Sequence, residues 1–352
     1  MNPSTTTLPP PTAWHAHPDP GLERMVAGRD RAAMHRALEH PGVRADSYAR
    51  LRILDALYRI DPADAQLEWR WLQEMLLANR PAAAWAVVRQ WPMESPTGFA
   101  RLFLAAQVAQ IAASRDEAAD RYGFLLRAFP DQIDAWQKAL EFDPGLWQAG
   151  VDGGRLEAWM SGTDAYAREK ACFAKASVLR QGAPSQAFAL AMQAQSLKRK
   201  RLGDWNAPRL RRHLSEDAAA KVAPAAGGEP VRPLFIVGLP RSGTTLLSAM
   251  LSAHPRVATA GEQELVAALA CGPARAQILS GAAPPGLFRQ WYGAATGDLA
   301  DGSDVLVDKM PLNAEHVGVI LATFPDALVV HIERALPDVA ASIHMHDFEF
   351  GC

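Results

Sequence analysis

Cysteine is scarce in this 352-residue chain, with only Cys172, Cys271 and Cys352 present. They are scattered, lacking both the paired spacing of a metal site and the density of a secreted disulfide framework, so buried or unpaired thiols are expected and no metal site is. An excess of either charge is also missing, since 36 Lys and Arg stand against 38 Asp and Glu. That balance excludes a general field for nucleic acid or an anionic membrane, so any anion site must be local. Long hydrophobic runs are lacking too: no segment approaches the ~18 apolar residues of a membrane span. The opening stretch "MNPSTTTLPPPTAWHAHPDPG" has neither the basic start nor the apolar core of a signal peptide. Together these absences lead us to expect a cytoplasmic protein with no nucleic-acid partner and no membrane span.

What remains is a chain 49% hydrophobic and 21% charged, a globular balance at a length that suits two domains. Residues 1–20 are proline-rich and polar, and are expected to be a flexible leader. Residues 21–214 read as helical throughout. "SYARLRILDALYRIDP" sets Leu51, Leu54, Leu57 and Tyr58 on one face at 3/4 spacing and stops at Pro62. "LEWRWLQEMLLANRPAAAWAVVRQWP" reads as two helices broken at Asn79–Pro81, with a further stop at Pro92; the next pair ends at Pro130. These stops recur near the ~34-residue period of tetratricopeptide (TPR) repeats. Ala118, Tyr122 and Pro130 fit that pattern best, and Ala187, Ala191 and Ala194 supply the small face of a later pair. An irregular helical domain is the alternative. The run "KRKR", Lys198 to Arg201, reads as the solvated end of a helix, and the tryptophans as packing residues.

Residues 215–232, rich in Ala, Gly and Pro, read as a linker. Beyond it strand and helix alternate. "PLFIVG", "DVLVD" and "ALVVHIE" are predicted strands; "GTTLLSAMLSAHP", "NAEHVGVILATFP" and "LPDVAASIHMH" are predicted helices. Continuous apolar strands joined by helices imply a parallel sheet covered on both faces, with ligands at the C-terminal strand ends. The expected fold class is an all-α helical-repeat (TPR-like) domain followed, over 233–352, by an α/β three-layer parallel-sheet phosphate-loop domain.

Gly238-Leu239-Pro240-Arg241-Ser242-Gly243-Thr244-Thr245 follows the first strand and opens a helix, whose N-terminal amides and dipole favour an anion. A triphosphate loop would carry lysine next, to reach the terminal phosphates. Thr244 stands in that place, and the nearest loop cation is Arg241, which argues against a Mg-triphosphate. His254, before Pro255, reads as a helix end. His344 and His346, two apart, make a poor metal pair.

The combination "FIVGLPRSGTTLLSAMLSAHPRVATAGE" resembles the 5'-phosphosulfate loop of sulfotransferases that use 3'-phosphoadenosine 5'-phosphosulfate (PAPS). It is most like the tyrosylprotein sulfotransferases and bacterial proteins that fuse TPR repeats to such a domain. "VLVDKMPLN" is similar to the family's "DKxPxN" region, and "ERALPDVAAS" places Arg334 and Ser342 at the family's spacing for gripping the 3'-phosphate. The resemblance implies that PAPS is held by Pro240, Arg241, Ser242, Gly243, Thr244, Thr245, Arg334 and Ser342, with no metal required. It implies catalytic roles for Arg241 and for Lys309, at the bridging oxygen. It also implies a base at Glu262, with Glu264 second, and an acceptor hydroxyl, which a protein recruited by the helical repeats could carry. Asp308 is available as a salt-bridge partner for Lys309. Glu333 and Ala335 stand where the family has arginine and aspartate, and the likeness stops short of the family's usual C-terminal part. Two other readings stay open: a truncated chain whose repeats act as a protein-binding module, and a divergent phosphate-loop kinase or nucleotide hydrolase, against which Thr244 speaks.

Overall fold

The computed structural model describes residues 19–44, 46–92, 98–149, 154–203, 231–267, 285–300 and 302–348. Nearly all of the expected leader and linker, together with Cys271 and Cys352, lie outside the described residues. In chain order the helices are α1 (Pro20–Ala27), α2 (Arg31–Glu39), α3 (Pro41–Arg44), α4 (Ser47–Ile60), α5 (Ala65–Leu77), α6 (Pro81–Val88), α7 (Phe99–Ala112), α8 (Arg115–Ala128), α9 (Ile133–Phe142), α10 (Arg155–Ser161), α11 (Ala165–Leu179) and α12 (Pro184–Leu202). Then follow β1 (Arg232–Gly238), α13 (Thr244–Leu251), β2 (Val257–Gly261), α14 (Pro285–Ala300), β3 (Val305–Asp308), a 3-10 turn at Pro311–His316, α15 (Val317–Thr323), β4 (Leu328–Ile332) and α16 (Leu336–His344). No helix among the described residues is long and apolar enough to cross a membrane.

Local chemistry explains many of the helix starts. Asp19, Asp30, Asp46, Asp64 and Asp164 each accept first-turn backbone amides, for α1, α2, α4, α5 and α11 respectively. Ser114 and Glu117 form a reciprocal capping box on α8. Each such cap contributes about 1 kcal/mol. The break between α5 and α6 falls where the sequence predicts it, with Asn79 in the left-handed region at φ 54°.

By contact the described residues form two compact units, one of residues 19–80 with 231–334, the other of residues 81–203 with 335–348. The division therefore falls between Arg80 and Pro81, inside the helical half, whereas the composition places a change near 215–232.

In the first unit, four parallel strands run in the order β2-β3-β1-β4. β1 is central, buried from Pro233 to Gly238, which is why it reads as an unbroken apolar run. β2 is an addition to the three strands expected; it is an edge strand of small residues with only Ala260 buried. α14 is a further addition. The core joins Phe235, Phe288, Tyr292 and Phe324, with ring centroids 5.1 to 6.2 Å apart, to Leu265, Val266 and, from α4, Tyr48. α4 buries Leu51, Leu54, Leu57 and Tyr58 as its spacing predicts, and Tyr58 stacks on Trp71 of α5 at 4.6 Å.

The second unit packs α7 on α8 and α11 on both α9 and α12. Ala118 and Tyr122, like Ala187, Ala191 and Ala194, are buried as the helix-pair reading requires. One reading from sequence is corrected here. Lys198 is not part of a solvated run: it is buried, and with Lys170 it pairs to Asp347, itself 1% exposed; the Lys198–Asp347 distance is 2.7 Å. Arg201 likewise holds buried Glu169 at 2.9 Å. Gln195 donates to the carbonyls of His344 and His346 at 3.2 and 3.1 Å, so the segment after α16 is fastened to α12.

Candidate active site

Parallel strands bring their C-terminal ends to one edge of the sheet, and the chain places a chemically distinctive residue after each. β1 leads into the loop, β2 into Glu262, β3 into Lys309 and β4 into Arg334. The order reversal beside β1 is where open α/β sheets bind ligands.

The loop is built on unusual backbone. Gly238 has φ 147°, and a Cβ there would stand 2.6 Å from the Ile332 carbonyl of β4, so only glycine fits. Arg241 holds φ 69°, a left-handed conformation that costs a non-glycine residue about 1 kcal/mol or more, and Gly243 follows at φ 113°. α13 then begins at Thr244, which is buried, while Thr245 is exposed. Pro240 is half-buried. Ser242 is 7% exposed, and its Oγ has no hydrogen-bond partner in the structure. An unsatisfied buried hydroxyl costs about 1–3 kcal/mol, so this one is open to a further hydrogen bond. Arg334 Nη1 donates to the Arg241 carbonyl at 3.4 Å, which ties the end of β4 to the loop.

Beside the loop, Lys309 Nζ is ion-paired with Glu262 Oε1, and the Lys309 amide donates to the Gly261 carbonyl at 2.8 Å. The Lys309 side chain is 10% exposed and that of Glu262 54%, so the pair has a protein side and an open side. Glu264 is exposed, and its charge acts on Glu74 of α5. Asp308 does not pair with Lys309, contrary to the simple expectation from adjacency. It is fully buried, accepting from Tyr292 Oη at 3.0 Å and from Asn313 Nδ2 at 3.5 Å. Burial pushes its carboxyl up to about 7, with the nearby Glu262 charge adding to the rise and the Tyr292 hydrogen bond opposing it. Consecutive strand residues alternate faces, so Lys309 turns to Glu262 while Asp308 turns into the core.

Glu333, the carboxylate beside Arg334, lies 3.6 Å from His331 Nδ1. His254 follows α13 and accepts from the Arg256 amide at 3.2 Å, a helix-end role. The site residues expected from sequence thus divide by unit. Pro240 to Thr245, Glu262, Lys309 and Arg334 belong to the first, whereas Ser342 lies on α16 in the second. Sequence reasoning missed Asp308 as a buried acid and its partners Tyr292 and Asn313. Only Asn313 left a signal, the final residue of "DKMPLN".

Residues 233–352 match the model of the sulfotransferase family, so the C-terminal part of the chain carries a domain of that class. The chain is also similar to a protein of Aquifex aeolicus (strain VF5) described as an "Uncharacterized protein", at 34% identity over 131 residues. That match covers 33% of this chain and 17% of the relative, so the chain spans about a sixth of the relative's length. No solved structure matches the chain.

Proposed function

We propose that the protein transfers a sulfuryl group from PAPS to an acceptor hydroxyl. The observation that carries this reading is the loop of Gly238, Arg241 and Gly243 around the unpartnered Ser242 hydroxyl, with its cation supplied by the neighbouring strand end, at Lys309, in place of a loop lysine. PAPS, when bound, brings a sulfuryl group already joined to a phosphate leaving group. Such a group has no terminal dianion that requires a loop lysine and magnesium; an arginine, hydroxyls and backbone amides suffice.

In this reading the amides of Ser242 to Thr245 and the Ser242, Thr244 and Thr245 hydroxyls hold the 5'-phosphosulfate, with Arg241 over it. Lys309 neutralises the charge that builds on the bridging oxygen. Glu262, more than half exposed on the open side of its pair, accepts the proton of the incoming hydroxyl. As the acceptor takes over the carboxylate, the Lys309 ammonium is released towards the leaving group. Arg334, at the end of β4, grips the 3'-phosphate. We further propose that the pairs α7–α8 and α11–α12 are TPR-like and hold the acceptor, a protein or peptide, or a partner that delivers it.

Calorimetric titration with 3'-phosphoadenosine 5'-phosphate (PAP), against AMP and ATP-Mg, tests the nucleotide site. Micromolar or tighter binding of PAP that is lost in Arg241→Ala and Arg334→Ala, with none for AMP, is the expected result. Preference for ATP-Mg would replace the reading with a kinase or nucleotide hydrolase.

A further inference from the structure

The turn that carries Glu262 is held from outside the sheet, by the corner that ends α5. Asn79 Nδ2 donates to the Ala260 carbonyl, which also accepts from the buried Gln263 Nε2 at 2.5 Å. Gly261 follows at φ 69°, and a Cβ on it would stand 2.4 Å from Asn79 Nδ2. The left-handed backbone favours glycine there, and the missing Cβ leaves room for the Asn79 side chain that lies against it. The Gly261 carbonyl in turn accepts the Lys309 amide, so the peptide that Asn79 holds, Ala260–Gly261, immediately precedes the peptide that ties the Lys309 backbone to that of Glu262.

The corner itself is fixed. Arg80, 5% exposed, donates to the Ala295 carbonyl and pairs with Asp298 at 2.6 Å, both on α14. Leu265 and Val266, beyond Glu262, share a core with Tyr48 of α4. None of these contacts belongs to a sulfotransferase sheet as such; they come from the first helical segment.

We propose that Asn79 is a positioning residue for the Glu262–Lys309 pair, and that residues 19–80 are part of the transfer machinery rather than of an independent recruiting module. The consequence for transfer rests on the reading of Glu262 and Lys309 given above; the positioning does not.

Two variants of the full chain test it. Asn79→Gly keeps the left-handed corner unstrained and deletes the amide; Asn79→Asp keeps the shape but replaces the donor with an acceptor facing the Ala260 carbonyl. Tyr58→Phe is the control, since it removes a hydrogen bond to Glu68 within the α4–α5 pair and leaves the turn untouched. The first readout is the rate at which an amine reagent labels Lys309, followed by peptide mass mapping. Both Asn79 variants should label about fivefold faster, the shift that loss of one ordinary hydrogen bond allows, and the control should not. The second is hydrolysis of PAPS to PAP and sulfate, where kcat should fall with KM for PAPS and the affinity for PAP unchanged. Unchanged labelling in both Asn79 variants overturns the proposal, as does equal acceleration in Tyr58→Phe. Faster labelling with unchanged turnover upholds the positioning and refutes instead the catalytic reading of Glu262 and Lys309.

Discussion

Replacing Asp308 by asparagine should make the protein more stable at alkaline pH and remove much of the loss of stability that accompanies a rise in pH. In the fold this carboxyl is fully buried and titrates near 7, against 3.8 for the ordinary group. A raised acid binds more protons in the native state than in the unfolded chain between those two values. Stability therefore falls as pH rises through that window, and levels off above about 7. The full shift is about 3 units, or about 4 kcal/mol at 1.36 kcal/mol per unit, of which about 2–3 kcal/mol falls between pH 5 and 8. The substitution is compatible with the surroundings. The oxygen of the new side-chain amide can accept from Tyr292, and once the Asn313 amide turns over its nitrogen can donate to the Asn313 Oδ1, which is buried without a partner. Urea denaturation of both proteins at pH 5, 6, 7 and 8 provides the assay. The midpoint difference should widen in favour of the variant by about 1 M or more across this range, given slopes of about 1–3 kcal/mol per molar urea. Parallel curves, or a wild type that gains on the variant as pH rises, would refute the reasoning that desolvation governs this acid.

Two other substitutions separate ligand binding from folding. Ser242→Ala removes a buried hydroxyl that lacks a partner, so the unliganded protein should gain about 1 kcal/mol while PAP binding weakens about tenfold; thermal unfolding and calorimetry read the two effects. Asp347→Asn leaves Lys170 and Lys198 buried without their counter-ion and should cost about 3–5 kcal/mol, measurable as faster hydrogen exchange over residues 335–348. Burial alone would raise the Asp347 carboxyl, but the two lysines outweigh it and hold it below the ordinary value, so its contribution is kept above that value and lost only as pH falls through the lowered one.

What was legible in the sequence depended on how far away the determining contact lies. β1 could be read because a central parallel strand is covered on both faces and its burial is written as an apolar run. β2 could not, because "VATAG" is an edge strand of small residues, and its place is set by pairing with β3 nearly fifty residues on. The loop was legible for a related reason: Gly238 and Gly243 both take positive φ, a backbone demand that the residue type announces, although the close approach of Ile332 to Gly238 is not written locally. Glu262 and Lys309 each stood out by resemblance, yet nothing local says that they pair, and adjacency favoured Asp308 instead. In "KRKR" the sequence shows four cations and hides that one of them is claimed by Asp347, 149 positions later. Asn79 is the sharpest case. An asparagine before Arg-Pro at the end of a helix is ordinary turn chemistry, and its backbone is indeed left-handed. The same residue reaches Ala260, 181 positions away, and the space for it is made by a glycine that on its own looks like another turn. The break at Asn79 is read correctly from the sequence, and what the residue means for the site appears only when the fold sets it against Gly261.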